Sequence, residues 1–318
     1  MTKVVHVAVG VVKNNLGHIL IAKRPLDVHQ GGLWEFPGGK VEAGETLTRA
    51  LVRELREELA IEVQSIEPLI QIQHNYSDKS VLLDVCLVDG FTGIAQGNEG
   101  QPIRWVDTAD LNNYDFPAAN SPIITALQLP NVMMITGDES DLAVFEHKLK
   151  SSLEHGVKLV QLRQPKLCQS QISIAQQACQ ATGAQLQLNC APEEFEKFKA
   201  FDGVGLHLAS RHLMALAKRP VSLDVLFGVS CHNRQEIQQA QTVGADYLLL
   251  SPLLATRSHP DAEPLGWQAF KELVASCKVP VYALGGMRPE HVAQVKVSGA
   301  QGVAGISGWW GSLTASSD

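Results

Sequence analysis

Arg53-Glu54-Leu55-Arg56-Glu57-Glu58-Leu59, "RELREEL", puts three carboxylates at positions i, i+3 and i+4. On a helix those positions are neighbours along one stripe. Like charges so placed destabilise an isolated helix by roughly 0.2–0.5 kcal/mol per pair. Arg53 stands four residues before Glu57 and offsets part of that cost. Taken alone, the pattern also fits a solvated, charge-laced helix face, so the flanking residues decide. Leu47, Leu51, Leu55 and Leu59 recur every fourth residue and give a helix from about Thr46 to Ala60 one apolar flank. The acidic stripe lies beside that flank, and the Gly-rich loop "GGLWEFPGGKVEAGE" (31–45) precedes it.

From Gly39 the spacing runs Gly, five residues, Glu45, seven residues, then Arg53-Glu54-Leu55-x-Glu57-Glu58. This string resembles the Nudix box, Gx5Ex7REUxEExGU, where U is a bulky aliphatic residue. Ile61 fills the last aliphatic position, while Ala60 stands where the box has Gly. That position ends the helix and calls for left-handed backbone, so Ala costs about 1 kcal/mol there. Every carboxylate of the box is present, and the site is expected to be competent. The crowding then has a chemical reason, because clustered carboxylates suit Mg2+, a hard cation that takes oxygen ligands. Such ions clamp a diphosphate, neutralise developing charge and activate water.

The resemblance extends to the MutT branch of that family over residues 1–129. "AVGVV" (8–12), "RPLDVHQGGLWEFPGGK" (24–40), "GNEGQPIRWV" (97–106) and "DFPAANSPII" (115–124) match it in order and spacing. It implies a Nudix α/β/α sandwich that hydrolyses 8-oxo-dGTP to the monophosphate and pyrophosphate with Mg2+, or Mn2+ as a substitute. Carried over by position, Glu54, Glu57, Glu58, Glu99 and the Gly38 carbonyl would hold the metal. Arg53 and Glu45 complete the catalytic set. Arg24, His29 and the strand Glu35-Phe36-Pro37-Gly38 would line the nucleotide site, and Asn120 would hydrogen-bond the base. An amide offers donor and acceptor together, and a site built on that pair rejects bases that leave it unsatisfied. Asn120 also reads as a helix N-cap before "SPII", and the string around it inclines the reading to substrate. Arg24 reads equally as a strand-end charge and His29 as a solvated loop residue.

Past "QLPN" (128–131) the texture changes. Eight strand-like pieces, from "VMMIT" (132–136) to "AQGVAGIS" (300–307), alternate with helical ones, several closed by Gly. That is the pattern of a compact (β/α)8 TIM barrel over residues 130–318. The domain resembles the thiamin phosphate synthase and TenI group through "VKLVQLR", "GVSCH", "ADYLLLSP", "VPVYALGGM" and "GVAGISG". That pattern carries an Asn-Asp pair whose Asp binds Mg2+, but here Cys190 follows Asn189, and Ala209-Ser210-Arg211 replace a second acidic ligand. A phosphate or ligand site remains, drawn from Gln161, Arg163, Ser230, His232, Ser258, Gly285, Gly286 and Ser307. His232 is its acid/base candidate by resemblance, and a structural strand-end His otherwise.

The whole chain has 318 residues, 19% charged and 45% hydrophobic, and a net charge of −7. No basic patch dominates, so a small nucleotide rather than a nucleic-acid polymer is the expected partner. Six Cys without a CxxC pair read as buried thiols in a reducing, cytoplasmic compartment. No run approaches the ~20 apolar residues of a membrane helix, and the apolar start reads as a strand, not a signal peptide. Oligomeric state is not legible. Two rivals stand beside the nucleotide hydrolase: a pyrophosphohydrolase of thiamin metabolism, and a non-catalytic thiamin-phosphate sensor.

Overall fold

The computed structural model describes residues 4–75, 80–256 and 263–311. The chain divides into two compact units, Met1–Gln128 and Leu129–Asp318.

In the first unit, strands β1 (Val4–Val12), β2 (Ile19–Lys23), β3 (Trp34–Glu35) and β4 (Gly38–Lys40) precede helix α1 (Leu47–Leu59). Strands β5 (Glu62–Asn75), β6 (Ser80–Thr92) and β7 (Ile103–Val106) and helix α2 (Ser121–Gln128) follow. One sheet has the order β4-β1-β6-β5, with β1 and β6 parallel, and a second has the order β3-β2-β7. β1 is apolar on both faces because each face is covered. Ala8 and Val12 pack with Leu51, Leu55 and Leu59 of α1, while Val9 and Val11 pack with Ile123 and Ile124 of α2. This is the α/β/α sandwich. Gly10 lets α1 settle on the strand, since a Cβ there would lie 3.0 Å from Leu55.

The stretch Glu35–Gly38, expected to form one strand, is broken. Glu35 pairs with β2 in the small sheet, and Gly38 pairs with Val9 in the large one. Phe36 and Pro37 make the crossing, with Phe36 buried in the core and the Pro37 carbonyl accepting from Gly10 N–H at 2.8 Å.

In the second unit, eight parallel strands close into a barrel of order β10-β11-β12-β13-β14-β15-β8-β9. They are β8 (Val132–Ile135), β9 (Leu159–Leu162), β10 (Gln185–Asn189), β11 (Val204–Leu208), β12 (Phe227–Cys231), β13 (Tyr247–Leu250), β14 (Val281–Ala283) and β15 (Gly302–Gly305). Helices α3 (Leu142–Glu154), α4 (Gln169–Thr182), α5 (Pro192–Phe195), α6 (Ser210–Leu213), α7 (Arg234–Thr242), α8 (Gly266–Val274) and α9 (Val292–Val297) fill the connections. Alternation along each strand sorts its side chains. Met133, Ile135, Tyr247 and Leu249 point into the barrel, while Met134, Leu248 and Leu250 face the helices. The interior is apolar on that side and polar across β9–β11, where Gln161, Gln187 and His207 are buried. Five of the six cysteines are buried and Cys168 is exposed. Among the described residues no helix is long and apolar enough to cross a membrane.

Candidate active site

Helix α1 delivers the acidic stripe at a fixed height. Thr46 caps its start, its hydroxyl accepting from Arg49 N–H at 3.3 Å. Ala60 closes its end at φ 55°, ψ 35°, and donates to the Arg56 carbonyl. The left-handed conformation expected there is therefore present without the glycine. Leu51, Leu55 and Leu59 are wholly buried, which turns Glu54 and Glu58 toward the loop before α1 and leaves Glu57 exposed.

Arg53 ties the stripe to that loop. Its guanidinium grips Glu45 through two hydrogen bonds, at 3.1 and 3.0 Å, and reaches Glu54 at 2.8 Å, Glu57 at 3.4 Å and the Lys40 carbonyl at 3.1 Å. Glu45 also accepts from Glu42 N–H at 3.1 Å. These bonds hold its carboxyl below the usual range, with the Arg53 hydrogen bond the larger cause. Glu45 thus anchors Arg53 and the loop, and the remaining acids form the reactive cluster. Glu54 lies flat against Gly39, where a Cβ would fall 2.2 Å from its carboxyl carbon.

Glu58 accepts from Gly38 N–H at 3.0 Å. Burial, followed by the charges of Glu35, Glu54 and Glu99, pushes its carboxyl up to about 8, against the Gly38 bond. Four carboxylates therefore share one neighbourhood. Glu35 is raised as well, by burial, although Arg24 opposes it. Arg24 spans Glu35 and the His29 carbonyl, so it organises the 24–33 loop from within. That loop carries His29 at the surface.

Two residues that the sequence reading passed over bring Glu99 to the cluster. Asn98 donates from its backbone to the Glu58 carbonyl at 2.9 Å and from its side chain to the Glu57 carbonyl at 2.8 Å. The Gln101 side chain donates to the Glu58 carbonyl at 2.9 Å and accepts from Glu99 N–H at 2.9 Å. The last carbonyls of a helix lack intrahelical partners, and this loop supplies them. The signal available in sequence was a pair of amide side chains flanking Glu99 after a glycine.

Asn120 lies in a single 3-10 turn, Ala118–Asn120, that runs directly into α2. It therefore caps nothing. The residue is 9% exposed, and its side chain makes no hydrogen bond among the described residues. The segment before it packs along β3, with Trp34 N–H on the Asp115 carbonyl at 2.8 Å and Phe36 stacked on Phe116 at 5.3 Å. Asn120 and Glu58 are thus joined through residues 34–38.

The second unit has a cavity of about 990 Å3 at the ends of its strands, lined in part by Gln161, Arg163, Ser230, His232 and Gly285. Gly286 and Ser307 do not line it. Gly286 backs onto Leu254 and Ala255, and Ile306 takes the place expected for Ser307. Ser258 lies outside the described residues. His232 Nδ1 meets Glu236 at 2.9 Å, and Glu236 also accepts from the His232 backbone.

Residues 8–126 match the NUDIX domain family, and residues 132–309 match the thiamine monophosphate synthase family, TMP-TENI. The 8-oxo-dGTP diphosphatase of Escherichia coli K12 is 40% identical over 126 residues, which is 40% of this chain and 98% of that protein. The chain is a Nudix hydrolase joined to a TMP-TENI barrel. The Nudix domain is also similar to the CTP pyrophosphohydrolase of Escherichia coli K12, with 38% identity over 39% of this chain and 91% of that protein. The TMP-TENI barrel is similar to the thiamine-phosphate synthase of Syntrophomonas wolfei, with 29% identity over 52% of this chain and 80% of that protein.

Proposed function

We propose that the Nudix domain hydrolyses 8-oxo-dGTP to 8-oxo-dGMP and pyrophosphate with Mg2+, removing an oxidised precursor before it can enter DNA. The observation that carries the substrate is Asn120, a largely buried residue whose side-chain amide still reaches solvent and makes no hydrogen bond among the described residues. Its donor and acceptor are thus available together to the edge of a purine. The similarity to an 8-oxo-dGTP diphosphatase over nearly its whole length supports the same reading.

The donor set suits a hard divalent cation. Glu58 sits among three other carboxylates, with its own acid strength reduced, and a bound cation relieves both. Among the described residues no three acidic, His or Cys side chains close on one point, because Glu54 and Glu57 bend to Arg53 and Glu58 to Gly38. Mg2+ is commonly held by one or two carboxylates, waters and substrate phosphates, so a closed protein cage is not required. Glu54, Glu57, Glu58, Glu99 and the Gly38 carbonyl would hold it. When bound, it supplies Lewis-acid charge at the phosphates. The chain's own part is orientation. Arg53 aims Glu54, the Gly38 N–H fixes Glu58, and Asn98 and Gln101 place Glu99, where it can take a proton from water.

The test is kcat/KM with Mg2+ for 8-oxo-dGTP, dGTP, CTP and thiamin diphosphate, side by side. A preference of about a hundredfold for 8-oxo-dGTP over dGTP, lost in Asn120→Ala, is the expected result for discrimination by a buried polar pair. CTP is included because of the second relative. Equal rates on all four, or preference for another compound, would overturn the substrate. Full activity in Glu54→Gln would overturn the metal assignment.

A further inference from the structure

Residues 114–117 lead to Asn120 with little backbone support. Tyr114 is extended, at φ −116° and ψ 143°, yet the segment lies outside every strand of the described residues. One backbone hydrogen bond ties it to residues 34–36, from Trp34 N–H to the Asp115 carbonyl at 2.8 Å. The facing stretch is held far more firmly. Glu35 pairs with Ala22, Gly38 pairs with Val9, and the Pro37 carbonyl accepts from Gly10 N–H at 2.8 Å. Any slack between the two therefore falls to the 114–117 side.

Aromatic rings supply what the backbone lacks. Alternation along the extended piece turns Tyr114 and Phe116 inward and leaves Asp115 exposed. Tyr114 meets Trp34 edge to face, with ring centres 5.6 Å apart. Phe116 stacks on Phe36 at 5.3 Å, with the ring planes 24° apart. The Arg104 guanidinium lies over the first pair, 5.3 Å from the Trp34 ring and 6.0 Å from the Tyr114 ring, and cation–π attraction holds that end. From Phe116 to Asn120 the path is stiff. Pro117 is buried and its own ring fixes its φ. Ala119 is buried, and Asn120 N–H donates to the Pro117 carbonyl at 2.8 Å. On the far side α2 is pinned by Ile123 and Ile124, so the Phe116 stack decides how the intervening turn tilts.

We propose that Phe116 is a positioning residue for base selectivity, its stack on Phe36 setting where the Asn120 amide meets the purine edge. The inference rests on the reading of Asn120 as the residue that recognises the base. An amide reads a base through a donor and an acceptor together, and such bonds weaken steeply once they are out of line. A tilt of the turn therefore costs recognition of the base. The carboxylates of α1 meet the firmly held side, through Gly38 N–H and Glu58, and stay in place. The role thus shows itself as lost selectivity with kcat preserved.

The test is titration calorimetry of the full chain in EDTA with 8-oxo-dGMP and dGMP, which reads the base without the metal, beside kcat on 8-oxo-dGTP with Mg2+. Phe116→Ala should cut the preference for 8-oxo-dGMP about tenfold, as loss of one hydrogen bond should, while kcat stays within about twofold. Phe116→Leu keeps apolar volume but loses the flat ring, and should act alike if the alanine variant does not fold. Phe116→Tyr keeps the ring and should keep the preference. In an Asn120→Ala chain, Phe116→Ala should change the preference no further. A kcat that falls with the preference, or a Phe116 effect that persists in the Asn120→Ala chain, would overturn the positioning role. Preference lost in Asn120→Ala but intact in both Phe116→Ala and Phe116→Leu would overturn it too, and leave the substrate reading standing. An unmutated chain with no preference removes the substrate reading, and this role with it.

Discussion

The Glu54 carboxylate rests on the bare α-carbon of Gly39, so closely that a methyl group there would fall 2.2 Å from its carboxyl carbon. The contact links the first glycine of the box to its first metal-binding candidate. A methyl at Gly39 meets the far end of a side chain, which can swing aside, so the fold survives and the carboxylate moves. Displacing a positioned group by about 1 Å costs on the order of a hundredfold in rate. Gly39→Ala is therefore expected to lower kcat/KM about a hundredfold while thermal unfolding shifts little. Equal loss of activity and fold would show that Gly39 serves the backbone instead.

The end of α1 gives a prediction about stability alone. Ala60 holds φ 55°, a conformation that costs a residue with a Cβ roughly 1 kcal/mol relative to glycine. Ala60→Gly should stabilise the domain by about that amount, less the entropy glycine gains in the unfolded chain. Urea unfolding measures it, and a loss of stability would mean that the methyl group is packed rather than tolerated.

Much of this was readable in the sequence, and the reason is physical. The leucine period fixes which side of α1 is buried, so the acids on the adjoining stripe follow from geometry. The barrel strands were legible because each is a short apolar run with alternating destinations, bounded by turn residues. What was not legible depends on partners far apart in the chain. The crossing at Phe36-Pro37 is set by β1 and β2 competing for neighbouring residues. Glu45 reads as an acid of the box, and only the fold shows it spent on Arg53. Gly286 and Ser307 share a motif with lining residues but face elsewhere.

Acid strength at Glu58 predicts a pH dependence. Its carboxyl is raised to about 8 in the folded chain and returns to the ordinary carboxylate value on unfolding. Between those values the folded state binds more protons, so metal-free stability is greatest below the ordinary value and falls as pH rises through about 8. Glu58→Gln should abolish that slope. A cation must displace the same proton, so the apparent affinity for Mg2+ should tighten about tenfold per pH unit between pH 6 and 8, then level off. Calorimetry in EDTA and Mg2+ titration at several pH values read the two effects. A stability that rises with pH over that window would reverse the sign and remove Glu58 from the protonated state assigned to it.

Asn98 and Gln101 separate placement from chemistry. Neither side chain carries charge, and both bond the carbonyls that end α1. Removing the Asn98 side chain leaves the Glu57 carbonyl to water, whereas removing that of Gln101 leaves the Glu58 carbonyl with the Asn98 N–H alone and frees the backbone around Glu99. The stability cost should be modest, about 1 kcal/mol for one neutral hydrogen bond. The catalytic cost should be larger for Gln101→Ala, since Gln101 also receives the Glu99 N–H. Loss of that bond lets Glu99 wander from Glu58, so kcat should fall with KM nearly unchanged, and Glu99→Gln in the same chain should then add little. A Gln101→Glu variant keeps an acceptor for Glu99 N–H but places a further carboxylate beside Glu54, Glu58 and Glu99, and should be worse than the alanine. If the double variant with Glu99→Gln instead loses the full product of the two single effects, Gln101 acts on the helix and not through Glu99.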